Sequence, residues 1–255
     1  DLFTTHMERS LISVFSPSRH IGAQAEVRLP FAAAPVTAAV GIFGETVTSG
    51  GAASEGDEGM DIAGRLTIAP TLAKDEFIHL GVGAFFRDPS DSSVSFSQRP
   101  ESHVTGVRYL DTGTMTKVDK LWAVQPELAV VYGPFSVQGE YTWVQVERQG
   151  GVEEIDLNGY YAEVSVFLTG ESRVYKNGKF DRVSPKKNFL DGSGFAGGLG
   201  AIQLAARYSH LDFNDRAAGL EKGEEENITV GVTWITNPYV RFMFETVMVE
   251  TSANS

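Results

Sequence analysis

Residues 131–173 read VYGPFSVQGEYTWVQVERQGGVEEIDLNGYYAEVSVFLTGESR, and two runs of about ten residues within them alternate apolar with polar side chains. In the first run Phe135, Val137, Tyr141 and Trp143 share one face, opposed by Ser136, Gln138, Glu140 and Thr142. In the second, Tyr160, Ala162, Val164, Val166 and Leu168 oppose Tyr161, Glu163, Ser165 and Thr169. A two-residue period is what a pleated strand imposes, because successive side chains point to opposite sides. Carboxylates and amides sit at mid-strand on the polar face, while aromatics gather toward the ends of the apolar face. A wetted interior and a lipid-facing exterior with aromatic girdles read this way. The pattern predicts an all-β protein, an antiparallel transmembrane β-barrel.

Working outward, further strand-like runs fall at about 21–29, 36–47, 60–70, 77–87, 120–132, 195–213, 226–236 and 239–250, with the central pair at 134–148 and 157–169. That makes about ten strands, most near the ~9–11 residues needed to cross a bilayer when tilted. Short links are expected at 30–35, 70–76, 132–134 and 236–238. Longer acidic or Gly-rich ones are expected at 48–59, 88–119, 149–156 and 214–225. Outer-membrane barrels alternate short turns with long outer loops in this manner, whereas soluble sandwiches do not. The basic connection 170–193 breaks the alternation, being long where a short turn is due. Residues 3–20 do not alternate; Met7, Leu11, Ile12 and Phe15 stand near helical spacing before Ser16-Pro17-Ser18 interrupts them, which predicts a short helix or folded loop. Residues 88–119 are polar with no clear period.

Composition narrows the function classes. No apolar run approaches the ~18 residues of a membrane helix, which leaves barrels open because their lipid face uses every second residue. The formal charge of −12 argues against nucleic acid as a partner. Cysteine is absent, so thiolate chemistry and disulfides are excluded. The five histidines show no metal-ligand spacing, Ser193 lies in DGSGF rather than in a nucleophile elbow, and GFAGGLG at 194–200 is not followed by a helical period, so it reads as a flexible start to a strand. Neither an enzyme nor a cofactor is expected. The acidic patches 55–61 and 221–226 read as solvated outer loops without Ca²⁺-loop spacing.

The longer motifs carry a resemblance. MERSL at 7–11, PSRHIG at 17–22, RPE at 99–101, DTG at 111–113 and GPFSVQGEY at 133–141 occur in order. GYYAEVSVFLTGESRVY at 159–175, AARYS at 205–209 and VGVTWITNPYVRFMF at 230–244 complete the set. Together they resemble the phosphate-selective porin O/P family of the outer membrane, over nearly the whole chain. The resemblance implies a sixteen-stranded barrel, assembled as a homotrimer and embedded in outer-membrane lipid and lipopolysaccharide, passing phosphate or other small anions. On that reading residues 1–20 are the end of an inward-folded constriction loop, and residues 21–255 carry roughly strands six to fifteen of a longer protein.

The candidate anion contacts are basic, because a guanidinium offers fork hydrogen bonds to phosphate. Arg9 matches a constriction-loop arginine that contacts phosphate in family members; the alternative is a pairing with Glu8 or another loop carboxylate. Arg99 keeps one rung of an arginine ladder on FSQRPESHVTG, while Ser97, Glu101 and Thr105 replace others. A carboxylate at Glu101 is expected to repel phosphate and weaken selectivity. Alternation places Arg28, Arg65, Arg207 and Arg241 on the polar face together with Glu26, Glu140, Glu163 and Glu245, either as anion contacts or as cross-wall salt bridges. Arg173, Lys176, Lys179, Arg182, Lys186 and Lys187 crowd the 170–193 connection and are expected at a periplasmic mouth, where they would focus the field for anions or form an ordinary solvated turn. The competing readings are a non-selective porin for small hydrophilic solutes and a soluble all-β binding module.

Overall fold

A computed structural model describes residues 3–17, 20–31, 33–44, 59–191 and 193–252. Ten long strands form one antiparallel sheet in which each strand pairs with the next along the chain. They are β1 (Gly22–Leu29), β2 (Val36–Gly44), β3 (Met60–Ile68), β4 (Glu76–Asp88) and β5 (Val118–Tyr132), followed by β6 (Phe135–Arg148), β7 (Ile155–Phe167), β8 (Ala201–Asp215), β9 (Leu220–Asn237) and β10 (Val240–Thr251). The short segment Thr71–Ala73 adds to β4. Strands β1 and β10 are the two edges and do not pair with each other among the described residues.

The alternating runs quoted above become β6 and β7, in register as Val137↔Val164, Gln138↔Glu163 and Tyr141↔Tyr160. Because the side-chain period is two, that register sends Phe135, Val137, Tyr141, Tyr160 and Val164 to one side, while Val144, Val146, Ile155 and Leu157 at the long-link end turn to the other and are buried. The first side is bare: Tyr141 is 43% exposed, Val164 51% and Leu204 38%. The polar side is covered, and Glu163 is only 4% exposed. A soluble protein in water normally buries the apolar face of a half-covered sheet and wets the polar one. Over β6 and β7 the order is inverted.

Several boundaries differ from the sequence reading, each for a local reason. Strand β8 starts at Ala201 rather than near 195, because Leu190–Asp191 and Gly194–Phe195 close a hairpin of their own and Gly197 and Gly200 turn at positive φ. Strand β9 begins at Leu220, so the acidic patch 221–226 lies within a strand instead of a loop, and the link before it is only residues 216–219. There Glu225 is buried while Glu221 and Lys222 are exposed. The helical spacing of residues 3–20 yields a single 3-10 turn, Leu11–Phe15, which ends before Pro17. The stretch 88–119 is a two-rung excursion: Ser93–Val94 pairs with Met115–Thr116, and Ser97–Gln98 with Leu110–Asp111. Residues 45–58, which hold nearly all of the link expected at 48–59 and most of the acidic patch beginning at 55, lie outside the described residues; of that patch Asp61 is described, buried and bound by Arg87 at 2.8 and 2.9 Å.

Among the described residues one apolar core forms, and it lies on the polar side of the sheet at its long-link end. Leu11, Phe15, Phe96, Leu110, Leu121 and Phe213 are buried together there. Phe15 packs edge-on to Phe96 at 5.2 Å and to Phe213 at 6.0 Å. This cluster fixes the 3-10 turn and the 88–119 excursion against the sheet.

Candidate functional site

Three segments fold onto the polar face. The first is the strap of residues 3–17. Arg207 Nη1 donates to the Glu8 carbonyl at 3.0 Å, Met7 N to Glu245 Oε1 at 2.9 Å, Leu11 N to Glu101 Oε1 at 3.1 Å and Arg241 Nη1 to the Thr4 carbonyl at 3.2 Å. The second is the excursion carrying Glu101. The third is a hairpin that the sequence reading passed over, Val174–Lys176 with Lys179–Asp181. Its turn, Asn177-Gly178, has φ of 52° and 76°. Asn-Gly between paired residues is the strongest short-range hairpin signal, since both central positions need positive φ, so the sequence does announce this element.

The hairpin does not sit at a mouth. It crosses the polar face until Gly178 stands against β2 and β3, where an added Cβ would lie 3.0 Å from Thr67 Oγ1. Its sides are anchored by rings. Tyr175 packs on Phe77 at 5.0 Å and its hydroxyl lies 2.6 Å from His79 Nδ1. The Arg173 guanidinium lies 3.5 Å over the Phe180 ring, with Glu163 Oε1 at 3.6 Å and Gln138 Oε1 at 2.5 Å. Burial pulls the Arg173 guanidinium below its ordinary value, against the opposite influence of Glu163 and Tyr161. Burial also pushes the Tyr175 phenol above its ordinary value, so it stays a neutral hydroxyl at the histidine.

Strap, hairpin and sheet enclose a cavity of about 650 Å³. Its basic lining is Arg9, Arg65, Arg173, Lys176, Lys179 and Arg207; its acidic lining is Glu8, Glu127, Glu140, Glu163 and Asp181. Most of these charges are matched. Arg65 makes a two-pronged bond to Glu127 at 2.7 and 2.8 Å. His103 Nδ1 lies 3.0 Å from Glu8 Oε2, and Glu140 accepts from the Tyr161 hydroxyl at 2.8 Å. Lys176 and Lys179 stand directly opposite each other across the hairpin and are exposed. Like charges in that position repel, and both lysines line the cavity together with Asp181 of the same hairpin. A second cavity of about 340 Å³ shares Arg173, Asp181 and residues 3–5 with the first and adds Arg182 and Arg241.

The predicted residues therefore separate. Arg9, Arg65, Arg173, Lys176, Lys179 and Arg207 meet around the larger cavity, and Arg182 and Arg241 line the smaller one. Arg28 lies on exposed β1 beside Glu26, to which its Nε donates. Arg99 is half-buried in the excursion and lines neither cavity. Lys186 and Lys187 are exposed outside both cavities, Lys186 donating from Nζ to the Gly170 carbonyl. Arg9 is exposed.

Two expectations are corrected here. The basic set of the 170–193 connection is not gathered at a mouth, because the hairpin carries its first members across the polar face. Glu101 does not stand open beside Arg99: it is buried, with Arg207 Nη2 at 2.6 Å and Nε at 3.0 Å. It also accepts from Thr229 Oγ1 at 2.7 Å and from Ser209 Oγ. A carboxylate so saturated with donors, one of them a guanidinium, repels little beyond its own shell. By the same contact Arg207 is occupied as an ion-pair partner.

The profile of a family described as phosphate-selective porin O and P matches residues 4–255. An uncharacterized protein of Caulobacter vibrioides is 31% identical over 252 residues, 95% of this chain and 48% of its own length. Porin O of Pseudomonas aeruginosa is 27% identical over 219 residues, 74% of this chain and 47% of its own. The chain spans about half the length of the curated relatives it matches.

Proposed function

From its place in the phosphate-selective porin O and P family, to which the chain belongs, we propose that it forms part of the wall and constriction of a passive outer-membrane channel for phosphate or other small anions. The observation that carries this reading is the inverted sheet: its apolar face is bare, and its charged face lines a cavity of about 650 Å³ with Lys176, Lys179 and Arg9 on the lining. Bare Val, Leu and Tyr side chains belong against lipid, because a large exposed apolar surface is unstable in water. The open edges β1 and β10 support closure by further strands into a sixteen-stranded barrel, since every backbone group within lipid must be paired.

In this proposal the strap 3–17 is the end of the constriction loop and the lipid and lipopolysaccharide of a Gram-negative outer membrane surround the wall, with three copies forming a trimer. Selectivity is weak. Arg65, Arg173 and Arg207 are each matched by a carboxylate; in this proposal the two lysines of the hairpin turn carry the anion preference, together with Arg9 through its match to the family's constriction-loop arginine.

The test is a reversal potential in a salt gradient across a planar bilayer containing the complete protein. The anion-to-cation permeability ratio is expected above one, and lower in Arg9→Ala. A ratio at or below one overturns the anion preference in favour of a non-selective porin, and an absence of conductance overturns the channel.

A further inference from the structure

Among the groups that the proposed pathway leaves unused, His6 is built in most tightly. It belongs to the strap, is 0% exposed, and lies between carboxylates of two strands that are three apart in the sheet. Its Nδ1 is 3.1 Å from Glu245 Oε1 on β10, and its Nε2 is 3.7 Å from Glu163 Oε2 on β7. Both carboxylates are almost wholly buried. Glu245 reaches inward over β9 because its cross-strand partner is Gly231, where an added Cβ would come within 2.9 Å of Glu245 Cγ. The same Glu245 oxygen accepts Met7 N, the amide next along the strap.

A neutral imidazole has one N–H and one lone pair, so it can satisfy only one of two flanking carboxylates. An imidazolium donates from both nitrogens. In the structure His6 Nε2 lacks a hydrogen bond among the described residues, and the oxygen it faces, Glu163 Oε2, lies 3.7 Å away, the contact that a second N–H would complete. With a neutral ring one of these two buried carboxylate oxygens faces a lone pair instead of a donor.

Other charged groups around this site do not replace the missing proton. Arg173, from the 168–200 connection, faces the other oxygen of Glu163. Arg207 on β8 is held by Glu101 of the excursion and the Glu8 carbonyl, and Arg241 on β10 reaches the Thr4 carbonyl. Strand β9 contributes Thr229 and Thr233 but no charge at this level.

We infer that His6 is a positioning residue, a proton-dependent pin that holds the strap, and with it Arg9 three residues on, against the charged face. Acid supplies the second N–H and tightens the strap; alkali leaves Glu163 facing a lone pair and loosens it. Imidazole is the side chain suited to such a switch, because its charge changes in the neutral range. The pin concerns how the constriction is held, and as a control on conduction it rests on the channel reading proposed above.

The experiment is carried out on the complete protein in detergent micelles and in planar bilayers, at about pH 5 and pH 8. Hydrogen exchange of the strap amides, corrected for intrinsic rate, is expected to show about tenfold greater protection at the acid pH, the worth of one charge-assisted hydrogen bond. His6→Asn is expected to lose that step, and Glu245→Gln to reduce it with the imidazole still in place. Anion permeability is expected to follow the same profile. A step that survives unchanged in His6→Asn, or, where that variant does not fold, in Glu245→Gln, overturns the pin. Channels with an anion preference but with pH-independent strap protection overturn the pin and leave the channel reading standing. A His6-dependent step in protection without conductance does the reverse.

Discussion

Strands β1 and β7 alternate in the same way, yet all eight residues of β1 are exposed on both faces, whereas β7 buries every second one. Both carry a carboxylate mid-strand on the polar face. Glu26 on β1 faces outward beside Arg28, its neighbour two residues on, while Glu163 on β7 sits in a shell made by Arg173 of the hairpin and His6 of the strap. Nothing in the pleat distinguishes the two. The difference is cover: strap, excursion and hairpin reach across the sheet from β2 to β10, and the eight residues of β1 stay exposed. Charge on the polar face is cheap where water reaches it and demanding where a segment has displaced the water.

The comparison breaks most visibly at the covered end. Arg207→Ala removes the guanidinium from Glu101 and leaves a buried carboxylate held only by hydroxyls and an amide; a loss of about 3–5 kcal/mol is expected, read as a fall in the thermal unfolding midpoint of the complete protein in detergent. Replacing both Glu101 and Arg207 by leucine is expected to restore much of that loss, because neither charge is then left unpaired. A smaller effect is expected at the hairpin turn. Gly178→Ala forces a side chain into left-handed backbone at φ 76° and against Thr67, costing roughly 1–2 kcal/mol, seen as faster proteolysis between Val174 and Asp181 with the global midpoint little changed. At the uncovered end, Arg28→Ala is expected to shift the midpoint by no more than ~0.5 kcal/mol equivalent, since exposed ion pairs contribute little. A loss at Arg28 comparable with that at Arg207 would show that β1 is covered in the complete protein by strands beyond this chain.

The strands were legible because the two-residue period is written directly in the order of residues. GPFSVQGEYTWVQ can only pair one way once Tyr132-Gly133-Pro134 has set the turn. The excursion and the third segment were less legible for different physical reasons. In 88–119 the rungs are two residues long, too short for any period to register. In 170–193 the Asn177-Gly178 signal is present, but an abundance of lysine and arginine argues for water, and Tyr175 seats the hairpin on Phe77, a ring remote in sequence. The role of Glu101 was invisible because its partners Arg207, Ser209 and Thr229 lie more than a hundred residues away.

By itself, then, the order of amino acids determined that this chain makes long antiparallel strands with one oily and one wetted face, and which side chains share each face, because pleat and turn geometry act between near neighbours. Only the tertiary structure decided which of the charges on the polar face stay exposed and which are consumed as fasteners. That choice depends on three segments crossing strands remote from them in sequence, and on the cost of stranding a charge wherever they shut out water.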